Sequence, residues 1–473
     1  MIDEDIIDFV IKRLELQGAS YVEARLEETT KSGFILKNGN LDGTFFEEMN
    51  GIGVRYLIDN ALGFIATNNL DKTNLNEKIK KSVNTVKSAG KLNEKINLTS
   101  EKAVKKEYSV DEKIKLFDMD LSEKIKGVNE IDKELRDPNL SLKERYLSYH
   151  DAKTTEHLIT NEGVNIKATV PRLNLFYILS TQCGHKSTQR MWDYGNTGGF
   201  EFFEKWNLSE VLKNEAGKLR DSLDYGKETP VGCMDVIVAP EVTGIMVHES
   251  AGHPYEADRI FGREAAQAGE SFINEKMIGQ EIGNEIVNVV DDSTIPNTNG
   301  FFLYDNEGVE SQRKYLIKSG KINEFLHNRA TASEMGLEKS NGSSRATQYD
   351  LETIVRMSNT FLLPGDCSEE ELIEEVKKGI YLKNFMEWNI DDKRLNQRYV
   401  GAEAYLIEDG KLTSQIVNPS IEITTPQLWK SVENIANNTE LHSGTCGKGE
   451  PMQGIPVTFG GPSMKLKNIS VKR

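Results

Sequence analysis

The stretch VHESAGHPYEAD, residues 247–258, sets two imidazoles around a carboxylate: His248 and Glu249 are adjacent, and His253 follows. A zinc-dependent hydrolase uses this set, with imidazole nitrogens to hold the ion and a carboxylate beside them to move protons. The spacing is unusual. On a regular helix an i, i+4 pair lies roughly 40° apart and an i, i+5 pair roughly 140° apart. His248 and His253 stand in the second relation, so an unbroken α-helix would aim them in different directions. Two features relieve this. A single wide turn absorbs an extra residue and is common at functional sites. In addition, Gly252 tolerates positive φ, and Pro254 biases His253 away from the α region. Chelation is compatible with the spacing provided the backbone is irregular between Ser250 and His253. Two histidines at a helix end also serve as capping or surface groups, so the motif needs a third ligand.

Cys446 leads the candidates. It lies in HSGTCGKGEPMQG, where Gly444, Gly447 and Gly449 let the backbone approach a crowded site. Its plainer reading is a small buried hydrophobe. Cys183-Gly184-His185 competes, with Cys-x-His on a loop. Two histidines and a cysteine leave one position of a tetrahedral zinc open to water; iron and cobalt also accept this donor set. His442 reads as a solvated loop histidine. His327, Arg345 and Tyr405 are available to stabilise an oxyanion, but each has a structural reading and none is assigned. The spacers Ser250, Ala251 and Gly252 are small and leave room for a backbone to approach the helix.

These residues need a scaffold of more than one core, because 473 residues exceed an ordinary single domain. The first residues, MIDEDIIDFVIKRLELQGA, read as an amphipathic helix with Ile6, Ile7, Phe9, Val10, Leu14 and Leu16 as its apolar set. Alternating segments follow, with Asn38-Gly39 as a hairpin turn, and predict a small antiparallel sheet. From Asp71 to about Asp137 the pattern is Lys/Glu-rich and helical, in NLNEKIKKSVNTVKSAGKL and VDEKIKLFDMDLSEKIKGVNEIDKELRD. Strand-like alternation resumes from Leu140 to about Gln182, with Asn161-Glu162-Gly163 as a turn. The polar stretch ending in Pro230 places a domain boundary between residues 227 and 228. Beyond it come the strand MDVIVAP, a helix carrying the histidines, and short β-like runs to the end. The pattern is α+β: helices and a small antiparallel sheet over 1–227, and short β-like runs with the metal-site helix over 228–473.

A net charge of −16 argues against nucleic acid and anionic membranes as partners. No run approaches the roughly 18 apolar residues of a membrane span, the N-terminus lacks the pattern of a secretory signal, and the four cysteines follow no disulfide-framework spacing. The expected location is the cytoplasm.

Five segments in order, HESAGH, DDSTIPNTNGFFLYDNEG, RMSNTFLLPGD, AYLIEDGKL and SGTCGKGEPMQGIPVTFGGPSMKLKNI, resemble the TldD/PmbA family of metallopeptidases. The N-terminal GASYVEARLE and GIGVRYLIDNALGFIATNNL fit it too, so the resemblance spans nearly the whole chain. It implies an N-terminal α/β domain over 1–227 and a mostly antiparallel β domain over 228–473, and one zinc per chain held by His248, His253 and Cys446, with Glu249 as the catalytic carboxylate. It further implies hydrolysis of unfolded or extended peptides by water activated on the metal, with Glu249 as general base. It makes the chain look like the motif-bearing, TldD-type subunit, pairing with itself or with a motif-lacking paralogue. The linker WNIDDKRLNQRYVGAEAYL departs from the pattern, which leaves the substrate-facing loops open. Readings of two other classes stand beside this one, a different metal enzyme and a non-enzyme. A peptide deformylase also uses two histidines and a cysteine, but with the histidines four apart, and a zinc nucleobase deaminase would need a P-C-x-x-C that is absent. A non-catalytic peptide-binding or assembly subunit is the alternative from another class.

Overall fold

The Asn38-Gly39 signal forms the turn it predicts. Both residues take positive φ, 51° and 77°, the backbone that matches strand twist in a two-residue hairpin. The hairpin joins β1 (Tyr21–Lys37) to β2 (Asn40–Ile58), and the alternating segments seen in the sequence are parts of these much longer strands. In this computed structural model, residues 4–89, 95–263, 270–449 and 452–473 are described. Residues 90–92 of the predicted helical run and 450–451 of the glycine-rich closing motif lie outside them.

Five more strands complete a seven-stranded sheet: β3 (Ala61–Thr67), β4 (Lys105–Ser109), β5 (Leu142–Thr160), β6 (Asn165–Cys183) and β7 (Lys186–Thr197). The order is β3-β2-β1-β5-β6, with β4 and β7 sharing the far edge of β6. Gly163, at φ 96°, turns β5 into β6 within the predicted Asn161-Glu162-Gly163 segment. Helix α1 (Glu4–Glu15) buries Ile6, Ile7, Val10, Ile11 and Leu14. With α2 (Lys72–Ser88) it covers the β1–β3 end of the sheet. Leu16 lies past the helix end and is exposed, so it drops out of the predicted apolar set. The predicted helix over residues 110–137 is shorter than its pattern, because α3 (Leu121–Glu134) starts at Asp120. Upstream of it the chain bends, held by Glu112, whose carboxylate accepts the Leu116 N–H at 3.0 Å while Leu116 enters the core. A short α4 (Glu201–Lys205) and a long α5 (Leu208–Tyr225) follow β7.

The remaining sheets draw their strands from Gly232 onward. A nine-stranded sheet is built around β8 (Gly232–Val238), which lies between Met464–Lys472 and Lys378–Leu382. A six-stranded sheet ends in the neighbours Asn359–Leu362, Gln453–Gly461 and Glu440–Lys448. Within these two sheets the strands pair antiparallel except for β8 with Lys378–Leu382 and Asn359–Leu362 with Gln453–Gly461. The fold is α+β. Helix α6 (Pro240–Val247) leaves β8 directly, with Pro240 in its first turn, where a missing N–H costs nothing. Every residue of α6 but Glu241 is buried, as expected of a helix apolar on all sides. Gly244 permits this packing: a Cβ there would lie 2.9 Å from the Phe459 ring and from the Gly460 backbone. The helix therefore lies against the strands that carry Cys446 and its neighbours.

Candidate metal centre

At the end of α6 the helix widens. His248–Gly252 form a single π turn, followed by a 3₁₀ turn over His253–Tyr255. The extra residue in the wide turn brings two histidines five apart onto one side, as the sequence reading required. The rings stand 4.9 Å apart, centroid to centroid, at 81°. The supposed causes were different, however. His253 has φ −53° and ψ −45°, helical despite the following proline, and Gly252 keeps a negative φ of −78°. Gly252 matters for space instead: a Cβ there would lie 1.9 Å from the Met357 sulfur. Ser250 hydrogen-bonds to Gln397. The small spacers thus accommodate the protein's own side chains rather than an approaching backbone.

Cys446 comes from strand Glu440–Lys448, opposite Ile455 of Gln453–Gly461. Its Sγ lies 3.3 Å from His253 Nε2, and one donor atom from each of His248, His253 and Cys446 falls within 4.8 Å of the others. All three are buried. Zinc–sulfur and zinc–nitrogen bonds of about 2.3 and 2.0 Å bring tetrahedral ligands to a similar separation. The Nδ1 of His248 is buried without a hydrogen-bond partner among the described residues. Two imidazoles and a thiol at these distances fit a zinc-type ion. Burial alone would push the Cys446 thiol up, but the His253 and His248 rings and the Arg356 guanidinium hold it well below its ordinary value, favouring the thiolate a metal requires. Cys183 and His185 join no such cluster among the described residues.

A second layer of side chains orients these donors. His253 Nδ1 donates to the buried Glu256 carboxylate at 3.0 Å, which turns Nε2 toward Cys446. Glu256 is held by Arg259 at 2.8 Å and Lys448 at 3.4 Å. Burial would raise its carboxyl, but Lys448, His253 and Arg259 bring it well below the carboxylate range. Arg356, fully buried, donates to the carbonyls of Cys446 and Gln453 and pins the cysteine strand to its neighbour. Glu249 has partners of its own. Its two oxygens accept from Trp388 Nε1 at 3.1 Å and Arg394 Nη1 at 2.7 Å. Burial opposes the charge on Glu249, yet Arg394, assisted by His253 and His248, lowers its carboxyl below the ordinary value.

His248, Glu249, His253 and Cys446 open onto one cavity of about 480 Å³. Its opposite wall is the seven-stranded sheet, through His150, Phe176, Met191, Trp192 and Asp193. His327, Arg345 and Tyr405 do not line it. The Arg345 guanidinium is tied to the carbonyls of Met357 and Pro456, and His327 is buried with its ring on Thr331. His442 is a strand residue packed on Trp192 at 5.3 Å, not a solvated loop residue; burial and Arg190 push its ring down to about 4. Sequence reasoning left Glu256, Arg356, Trp388, Arg394 and Lys448 unassigned. Glu256 had a signal in its place three residues after His253; Trp388 and Arg394 had none.

Residues 231–473 match the PmbA/TldA metallopeptidase C-terminal domain. The chain belongs to the PmbA/TldA metallopeptidase family. Residues 22–89 match domain 1 of that family and residues 114–222 its central domain. A metalloprotease of Methanocaldococcus jannaschii is 32% identical over 454 residues, covering 94% of this chain and 96% of its own length. A zinc metalloprotease TldD homolog of Saccharolobus solfataricus is 25% identical, with 98% of each chain covered. The crystal structure of TldE from Thermococcus kodakarensis superposes with a TM-score of 0.69 at 14% identity, covering 99% of this chain and 100% of that one, and shares the fold. The matched family model and the curated relatives carry the metallopeptidase name, which supports a peptidase reading of this chain.

Proposed function

We propose that the protein is a zinc-dependent peptidase that cleaves unfolded or extended peptides, with His248, His253 and Cys446 holding the metal and Glu249 as general base. The observation that carries this reading is the convergence of two imidazoles, a thiol and a carboxylate on one cavity. Bound zinc supplies Lewis-acid polarisation of the scissile carbonyl and lowers the pKa of water. Everything else falls to the chain. Glu249, kept ionised by Arg394, accepts a proton from the attacking water and delivers it to the leaving amine. Trp388 fixes the second carboxylate oxygen, so the base has one orientation. Glu256 fixes the tautomer of His253. The aromatic lining, with Phe176, Trp192, Phe385, Trp388 and Phe459, excludes water around the reacting groups. A cavity of about 480 Å³ accepts a short extended segment and no folded domain.

We assign the parts of the machine to the two halves divided at 227/228: metal and base to the second, the facing wall to the first. The chain works in the cytoplasm, paired with a second copy or with a TldE-like chain lacking the motif. Exposed Leu41, Phe45 and Phe46, on the stretch of β2 beyond the reach of β3, offer an edge for such a partner.

The test is Glu249→Gln in zinc-loaded protein with an unstructured peptide as substrate. Metal content should stay at about one ion per chain, while turnover should fall by about a hundred- to ten-thousand-fold. Undiminished turnover would remove Glu249 from the mechanism. Metal retained with no turnover in the wild type on any peptide would favour the non-catalytic reading.

A further inference from the structure

The wall facing the metal residues carries a carboxylate that the proposed hydrolysis does not use. Asp193 lies on β7 opposite Phe176 of β6, and His150 of β5 lies opposite Asn174, so these side chains share one face of the sheet. His150, Phe176 and Asp193 line the cavity. Among the described residues the Asp193 carboxylate has one side-chain hydrogen bond, from Asn174 Nδ2 at 3.4 Å, which is long and weak. Within that same set it forms no ion pair, in contrast to Glu249 in the same cavity. Burial leaves its carboxyl raised to about 7, against a smaller opposing effect of Asn174.

Asp193 is nonetheless tied to the centre. Its carbonyl accepts the Ser443 hydroxyl at 2.6 Å, on the strand that carries Cys446. Trp192, next in the chain, stacks edge-on against Phe459 at 5.9 Å, and Phe459 lies 5.7 Å from the His248 ring. The charged and titratable groups that share the cavity are His150, His248, Glu249, His253, Arg394 and Cys446. Arg394 is taken by Glu249, and His248, His253 and Cys446 form the centre. What remains is an acid with no ion pair among the described residues, directly across from the Phe176 ring and on the sheet face it shares with His150, which forms no ion pair with it: a carboxylate for the charge of an organic cation and a ring beside it.

We propose that Asp193 is a cation subsite of the cavity that takes the ammonium group of a bound peptide and thereby sets which bond lies over the metal. The proposal rests on the peptidase reading for its substrate class. Two sources share this chemistry, the free α-amine of the peptide and a lysine side chain. With Asp193 close to the Cys446 strand, an α-amine bound there places the cut within the first few residues.

The experiment is calorimetric binding to the zinc-loaded full chain, wild type and Asp193→Asn. The probes are short peptides of α-aminoisobutyric acid, which resist cleavage: one with a free amine, one N-acetylated, and one N-acetylated with an internal lysine. Wild type should bind a cationic probe on the order of tenfold tighter than the neutral one, and Asp193→Asn should bring the ratio close to one. Tight binding of the free-amine probe identifies the α-amine as the ligand; tight binding of the lysine probe identifies the side chain. Equal binding of all three by wild type would overturn the proposal, even without the variant. So would a preference that survives Asp193→Asn. Binding is read without turnover, so a protein that prefers the cation yet cleaves no peptide keeps Asp193 as a cation subsite and loses both the peptidase reading and the placing of a bond over the metal.

Discussion

On the C-terminal side of the cavity the buried acids are matched by cations. Glu249 has Arg394 at 2.7 Å, and Glu256 has Arg259 at 2.8 Å with Lys448 behind it. On the sheet side Asp193 lies across from Phe176 with one distant amide as partner, and its carboxyl moves the opposite way, up rather than down. The contrast separates two kinds of work. A metal centre needs its donors and base held in fixed charge states, and buried ion pairs with complete hydrogen bonding do that. A substrate subsite gains by leaving a charge for the ligand to satisfy, at a cost in the free protein.

The hardest way to break the matched side is Cys446→Ala. Loss of the thiol leaves two of the three donors, so elemental analysis should fall from about one zinc per chain to a small fraction of that. A variant that kept its full metal would return Cys446 to the role of a buried hydrophobe and reopen the search for a third ligand. Glu256→Gln is gentler. The amide fills the same space but loses the charge facing His253, Arg259 and Lys448, and metal affinity should weaken by about ten- to a hundredfold in a competition assay with a chelator.

Arg394→Gln probes the pairing of the base itself. Without the guanidinium the influence opposing burial at Glu249 is weaker, so its carboxyl rises. A general base must be ionised to act, so the acid limb of the kcat/KM profile should move to higher pH, with activity lost first at the acidic end. An unmoved acid limb with lower activity throughout would mean that Arg394 positions Glu249 or binds substrate rather than keeping it ionised.

The sequence made one side of this comparison far more legible than the other. His248, Glu249 and His253 sit in one short run, and their misfit with helical spacing was enough to require the wide turn found there. The turn's cause was not readable, because Gly252 is required by Met357, which lies more than 100 residues further along the chain. Asn38-Gly39 and Asn161-Glu162-Gly163 specify their turns locally, whereas the lengths of β1, β2, β5 and β6 depend on neighbours that a period-two pattern does not name. Arg394 reaches Glu249 across 145 residues from a left-handed backbone position, φ 62°, with no glycine or asparagine to announce it. Asp193 is one of many acids until the fold buries it in the cavity wall with a single distant amide as partner. Chemistry coded by spacing survives in the sequence; chemistry coded by the absence of a partner exists only in three dimensions.

The smallest effect is the most specific to the unmatched wall. An unfolded aspartate titrates near 3.8, and burial raises Asp193 to about 7. Below the lower value both states hold the proton. Between the two, the folded chain keeps a proton that the unfolded chain has released, so this group's contribution to stability falls as pH rises and is fully lost above about 7. The useful quantity is a difference, because it cancels the groups that variant and wild type share. The denaturation midpoint of Asp193→Asn minus that of wild type should grow in the variant's favour from pH 5 to pH 8, since the amide carries no charge to desolvate. A cationic peptide at saturating concentration should close that gap by supplying the missing partner to wild type alone. A difference that stays flat with pH would place the Asp193 carboxylate in ordinary solvent and remove the contrast between the two walls.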